Sequence, residues 1–208
     1  MPQNVQKVIE MAKKSKQVLE RIENFERIKK AYQAQGYTYK KMEVNIITAN
    51  VVACVIMVIM AVIGLYAFYL LHNRIVIFFP LWLLLCMLIS TIVHELLHGV
   101  AWSMFCEKKW KSVQFGIIWK MITPYCSCLE PLSWLPYLIG ALAPCMILGV
   151  VPYIVAIISG NSLLLWFAIF NIAAAGGDLM VALHICKDQP SLMMDLPEEC
   201  GYISIYKA

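Results

Sequence analysis

Four histidines occur in this 208-residue chain, and two of them stand four positions apart around a glutamate, in His94-Glu95-Leu96-Leu97-His98. On a helix, positions i and i+4 share a face, so both imidazoles can bind one Zn²⁺. Glu95 then sits beside the metal as a candidate general base for a zinc-bound water. The plain structural alternative is two histidines and a glutamate satisfying one another inside a bundle. Three polar side chains in an apolar segment without a ligand make that a costly way to pack.

Two histidines do not complete a catalytic zinc site, which usually has three protein ligands and a water. The remaining candidates are Asp178, His184, Glu130, Asp188 and the Cys126-x-Cys128 pair. Depth favours Asp178. At 1.5 Å per residue, His94 lies about 28 Å along its helix from Ile75, or roughly 21 Å if that helix starts at Pro80, and Asp178 lies about 24 Å from Ser162. The small residues Ala173-Ala174-Ala175-Gly176-Gly177 would let the last helix dock closely on the motif helix. Asn171 precedes Asp178 by seven residues and on a continuous helix shares its face to within roughly 20°. It is a candidate oxyanion donor, or a plain interhelical hydrogen bonder. His184 points away from Asp178 and reads as a surface or interface residue. A spacing of two residues makes Cys126 and Cys128 an unusual zinc pair.

The elements that must position these groups are apolar. Residues of the hydrophobic types make up 61% of the chain and charged residues only 14%, with a mean hydropathy of +0.71. These values exclude an ordinary soluble domain and a disordered chain. The net charge of +4 is too small, and too concentrated near the ends of apolar segments, for a nucleic-acid binder.

Val44–Leu71 and Ile75–Val93 carry no formal charge, and the second apolar pattern runs on through the motif to about Cys106. Pro131–Gly177 is again uncharged, and Ser159-Gly160-Asn161 divides it into spans at about 135–158 and 162–184. Each is long enough to cross a bilayer. Pro144 and Pro152 predict a kink in the third. Only Glu95 and Asp178 are charged within the four spans, and acids at such depth face a bundle interior or a wet cavity. The segment 107–134 is too apolar for a free loop and too broken by proline for a helix. It reads as a membrane-associated strand or re-entrant loop beside the metal, with an edge that an extended substrate could join. No cleavable signal peptide is expected, because residues 1–43 hold ten Lys/Arg and five Glu. Their apolar positions, among them Val5, Val8, Ile9, Val18, Ile22, Phe25 and Ile28, recur at mostly helical spacing and predict one or two amphipathic helices.

The expected fold is therefore an all-α membrane protein with four transmembrane helices, a short membrane-associated strand or re-entrant loop and an amphipathic N-terminal helix. Its parts are a cytosolic segment 1–43, a transmembrane core 44–188 and a cytosolic tail 189–208. With the N-terminus inside, Arg74 alone of the 17 Lys/Arg faces out, as the positive-inside rule favours. Both termini are expected in the cytosol of a multi-pass cell-membrane protein. The eight scattered cysteines then read as reduced, small apolar residues.

This constellation, over about residues 44–188, resembles the Putative zincin peptidase family of bacterial integral membrane proteins and, more distantly, the core of site-2 proteases. The segments Pro124-Tyr125-Cys126-Ser127-Cys128-Leu129-Glu130-Pro131 and Ala143-Pro144 belong to the resemblance. It implies that Asp178 is the third zinc ligand beside His94 and His98, and that Asn171 contacts substrate or an oxyanion. The chain departs from the site-2 pattern in reading Gly177-Asp178 instead of Asp-Gly, and in having no proline between Asn171 and Asp178. The implied activity is zinc-dependent hydrolysis of a peptide bond in a membrane protein or peptide, with one Zn²⁺ per chain, in contact with the lipid bilayer and with no nucleic acid involved. The competing expectations are a zinc-binding membrane scaffold or regulator without turnover, and a metal-dependent hydrolase of a non-peptide substrate. Four spans without an internal repeat disfavour a transporter.

Overall fold

The computed structural model describes residues 16–43, 45–74, 80–118, 123–197 and 201–207. The part of the expected N-terminal helical segment before Lys16 lies outside them, as do Ile75–Phe79 and the stretch 119–122.

The chain opens with helix α1 (Lys16–Ala34) and strand β1 (Tyr37–Glu43). Helix α2 (Ile46–His72) starts where the Asn45 side chain accepts from the Ile47 and Thr48 amides, and it ends at Asn73 in the left-handed conformation. Val51, Val62, Leu70 and Leu71 are among its many exposed apolar side chains. An apolar helix that leaves so much of itself uncovered suits a lipid environment.

Helix α3 (Leu81–Phe105) begins directly after Pro80, the later of the two starts considered from sequence. Its buried stripe runs through Leu83, Met87, Ser90, His94, His98, Ala101 and Trp102, while Leu84, Leu88, Ile92 and Leu96 stay exposed. The 3–4 spacing of the stripe turns the motif toward the protein and the leucines outward.

A short turn at Lys109–Ser112 leads into strands β2 (Val113–Ile118) and β3 (Thr123–Cys128), an antiparallel pair. Helix α4 (Trp134–Pro144), a π-helical segment at Cys145–Val150 and helix α5 (Val151–Ser159) follow. Pro144 has no N–H to give, and the backbone beyond it widens into the π segment. Helix α6 (Ser162–Ala174) and helix α7 (Gly176–Asp188) are bent by 53° at their junction.

Three helices are long and apolar enough to cross a membrane, Ile47–His72, Leu81–Phe105 and Trp134–Ser159, and the bent α6–α7 pair makes up to four. The fourth expected span is thus not one continuous helix. At the bend, a Cβ on Gly176 would come within 2.9 Å of the Ala53 Cβ. At Gly176 the small-residue run lets α7 approach α2 closely, while α6 packs on the motif helix as expected.

The all-α expectation needs a larger correction. Residues 189–208, read as a tail, contain strands β4 (Leu192–Asp195) and β5 (Gly201–Lys207), and these join β1 in an antiparallel sheet of order β1-β5-β4. Phe25 of α1 packs with Met194, Leu196, Ile203 and Ile205 on this sheet. A second cluster, including Trp102, Cys106, Cys128, Leu132, Tyr137, Ile185, Met193 and Tyr202, joins the sheet to α3, β3, α4 and α7. Leu132 and Met193 exchange backbone hydrogen bonds of 2.9 and 2.7 Å, which fasten β4 to the entry of α4. The third cluster, around Phe68, Tyr153, Leu165 and Ile169, holds α2, α5 and α6 together.

Candidate metal centre

His94 and His98 face inward one turn apart on α3, both buried. Their Nε2 atoms are 3.2 Å apart. Asp178 lies in the first turn of α7, just past the bend. Its Oδ2 is 3.0 Å from His94 Nε2 and its Oδ1 is 3.5 Å from His98 Nε2. Among the described residues these three form a group whose donor atoms all lie within 4.8 Å of one another.

The donor set fits zinc. Two nitrogens bound tetrahedrally at about 2.0–2.1 Å from one ion are about 3.3 Å apart, close to the observed separation. The orientation of His98 agrees. Its Nδ1 lies 2.8 Å from the Gly140 carbonyl oxygen. A carbonyl only accepts, so Nδ1 carries the proton, and in the neutral ring Nε2 offers its lone pair toward the cluster. A ring fixed through its second nitrogen is how metal-binding histidines are commonly held. Trp102 stacks on the other side of His98, with ring centroids 5.1 Å apart and planes 15° from parallel. The Trp102 indole donates to the Tyr137 carbonyl at 3.1 Å, and Trp102 occupies the space where a Cβ on Gly140 would lie.

Glu95 leaves α3 in another direction and meets β3. Its carboxylate lies beside the backbone N–H of Cys126. The hairpin register explains why this amide is available. Pro124 has no N–H and stands opposite Ile117, so that pair is a non-hydrogen-bonded one. In an antiparallel ladder such pairs alternate with bonded ones. Cys126 opposite Phe115 and Cys128 opposite Val113 therefore also turn their N–H groups outward. Cys126 meets Glu95 there, and the Cys128 N–H meets Asp195 Oδ2 at 2.8 Å.

The rival third ligands are engaged elsewhere. Glu130 accepts from the Ser112 hydroxyl at 2.6 Å and from the Glu107 amide at 2.9 Å. Asp188 pairs with Lys40 at 3.5 Å. His184 donates through Nδ1 to the Met180 carbonyl and is exposed. Cys128 Sγ lies 3.2 Å from Cys106 Sγ, both thiols free.

Asn171 is buried, and its Nδ2 donates to the Phe167 carbonyl of its own helix at 2.9 Å. The face it was expected to share with Asp178 presupposed a straight helix, and the break at Ala175 removes that basis. Gly140, Trp102, Tyr137, Asp195 and Arg21 were not found from the sequence. Their importance comes from long-range contacts that no local spacing encodes.

The sequence profile of a family described as Putative zincin peptidase matches residues 87–193, just over half of the chain. The chain belongs to that family. No curated protein and no solved structure matches it. The stretch shared with the zincin peptidase family contains His94, Glu95, His98 and Asp178, and the family's chemistry implies a metallopeptidase that uses zinc. Helix α1, β1, α2 and β5 lie outside the matched residues, as does Asp195.

Proposed function

We propose that the protein is an integral-membrane zinc metalloprotease that hydrolyses a peptide bond of a membrane-associated substrate, at a site in the cytosolic half of the bilayer. The observation that carries this reading is the convergence of both imidazole Nε2 atoms and the Asp178 carboxylate beside Glu95.

Bound by His94, His98 and Asp178, Zn²⁺ would supply Lewis-acid polarisation and acidify a bound water. The chain's own groups do the rest. The Gly140 carbonyl keeps the His98 proton on Nδ1. Glu95 takes a proton from the attacking water and passes it to the leaving amine. A helical substrate must unwind first, because its carbonyls are already bonded within the helix.

Membrane insertion is supported by the apolar helices and by the sheet. The pairing of β1 with β5 supports putting the segments before the first span and after the last on one side. That is what an even number of crossings requires. The Lys/Arg distribution favours the cytosol as that side.

The test is Glu95→Gln in full-length protein reconstituted in lipid. Zn²⁺ content by mass spectrometry is expected to stay at about one per chain. Cleavage of a library of fluorogenic transmembrane peptides in proteoliposomes is expected to fall by about 10²–10⁴-fold. Undiminished cleavage would remove Glu95 as the base. A wild-type protein that binds Zn²⁺ yet cleaves nothing in the library or in the membrane proteome would favour the zinc-binding scaffold.

A further inference from the structure

Asp195 sits at the end of β4, far from the motif in sequence, yet it holds two elements of the site at once. Its Oδ2 accepts from the backbone N–H of Cys128 on β3 at 2.8 Å. Its Oδ1 accepts from the Tyr137 hydroxyl on α4. Two residues before Cys128, on the same outward edge, is the Cys126 amide that meets Glu95. Three residues beyond Tyr137, nearly one helical turn, is Gly140, whose carbonyl receives the His98 proton. The two backbone groups that orient the base and an imidazole thus belong to the two elements that Asp195 joins.

The surroundings brace the same joint. Arg21 of α1 is buried and donates to the Tyr125 hydroxyl and the Ser127 hydroxyl of β3, each at 2.7 Å. It also reaches the Leu196 carbonyl, next to Asp195, at 3.3 Å. Strand β3 is therefore held on its bonded side by β2, on its outward edge by Glu95 and Asp195, and through its side chains by Arg21.

We propose that Asp195 is a positioning residue for the metal centre: one carboxylate oxygen binds Cys128 N–H, the other binds Tyr137 O–H, and the pair of bonds fixes β3 against α4 and so sets where Glu95 and His98 stand. The proposal rests on the reading of His94, His98 and Asp178 as a zinc site. A carboxylate suits the task because each oxygen accepts. An amide of the same shape has one accepting oxygen and an NH₂ that only donates, so it can keep both partners only if the Tyr137 hydroxyl turns to accept.

That asymmetry defines the experiment. Full-length wild type, Asp195→Asn, Tyr137→Phe and the double variant are compared in lipid nanodiscs. Zn²⁺ affinity is read by chelator competition, and amide hydrogen exchange is read over residues 123–128. Asp195→Asn is expected to weaken Zn²⁺ binding several-fold, because both partners are kept only with the Tyr137 hydroxyl turned to accept. Tyr137→Phe alone, which strands Oδ1, is expected to weaken Zn²⁺ binding several-fold. The double variant is expected to weaken Zn²⁺ binding about 10–100-fold, as loss of a partner that orients a metal ligand does, and to speed exchange in β3 by about tenfold, because the phenylalanine gives the buried asparagine NH₂ no acceptor. A residue that merely fills space would show no such further loss.

Zn²⁺ affinity and β3 exchange within about twofold of wild type in the double variant would overturn the proposal, as would a double variant no more impaired than the worse single one. If Asp195→Asn does not fold, the Tyr137→Phe comparison decides alone. Peptide cleavage is not among these readouts, so a failure of the protease reading is seen separately, in the Glu95→Gln comparison. If the wild type binds no Zn²⁺, the site reading falls, and this proposal falls with it.

Discussion

Asp178 and Asp195 are both acids set among apolar neighbours, but they stand in different regions and face different chemistry. Asp178 opens α7 within the helical bundle and faces two imidazole nitrogens. Asp195 closes β4 in the sheet-capped region and faces an N–H and an O–H. Nitrogen lone pairs and a carboxylate converging on one point make a cation site. Donors converging on a carboxylate satisfy it without a cation. On the proposed reading the bundle supplies the chemistry, and the cap of α1 and the β1-β5-β4 sheet holds the strand that borders it.

The contrast is tested hardest at Asp178. Asp178→Ala is expected to lower Zn²⁺ affinity by more than about 100-fold, beyond the usual effect of a partner that only orients a ligand. Chelator competition on the purified protein measures it, and an unchanged affinity would move the third ligand elsewhere.

Gly140 connects the two regions, since its carbonyl orients His98 while its missing side chain admits Trp102. Gly140→Ala is expected to destabilise the protein by about 1–3 kcal/mol through overpacking, and to displace the indole from the His98 ring. Thermal unfolding in detergent together with Trp fluorescence checks both parts.

The cap carries its own pH signature. Burial raises the Asp195 carboxyl above the usual carboxylate range, against the pull of the Tyr137 hydroxyl, the Cys128 amide, the Arg21 guanidinium and His98. Between the ordinary value of about 3.9 and the raised one, the folded chain keeps a proton that the unfolded chain has released. Stability contributed by this group is complete below that window and falls as pH rises through it. Above the window the ionised carboxylate accepts both of its hydrogen bonds. Unfolding midpoints measured across acidic pH should show the decline in wild type and a flatter profile in Asp195→Asn, and equal slopes would assign the decline to another group.

The smallest effect is expected at His184, an exposed residue bonded only to its own helix turn among the described contacts. His184→Ala should change stability by no more than about 0.5 kcal/mol and leave Zn²⁺ content unaltered. A loss of metal there would reopen the choice of ligands.

Much of the bundle was legible because it rests on local rules. Uninterrupted apolar stretches gave the helices α2, α3 and α4–α5, and Pro80 marked the start of α3. The i, i+4 rule placed His94 and His98 on one face before any tertiary contact was known. The scarcity of charge in the spans singled out Asp178. The cap was not legible. The strands β4 and β5 are four and seven residues long, and β5 pairs with β1 from the far end of the chain. Such pairing depends on which segments meet in space. The bend at Ala175 was equally hidden, because a run of alanine and glycine reads as a tolerant helix until a neighbour such as Ala53 requires close approach.

The sequence by itself determined that this chain holds an HExxH pair within an apolar helix, that one further acid lies at comparable depth, and that the chain contains several segments able to cross a bilayer. Spacing and hydropathy act over a few turns, and those facts need nothing longer. Only the tertiary structure decided that Asp178 meets both imidazoles, that Glu95 lies against a strand amide and that Asp195 joins that strand to the helix behind His98. Each of these is a contact between elements distant in sequence, chosen by packing and by the need of buried polar groups to find partners.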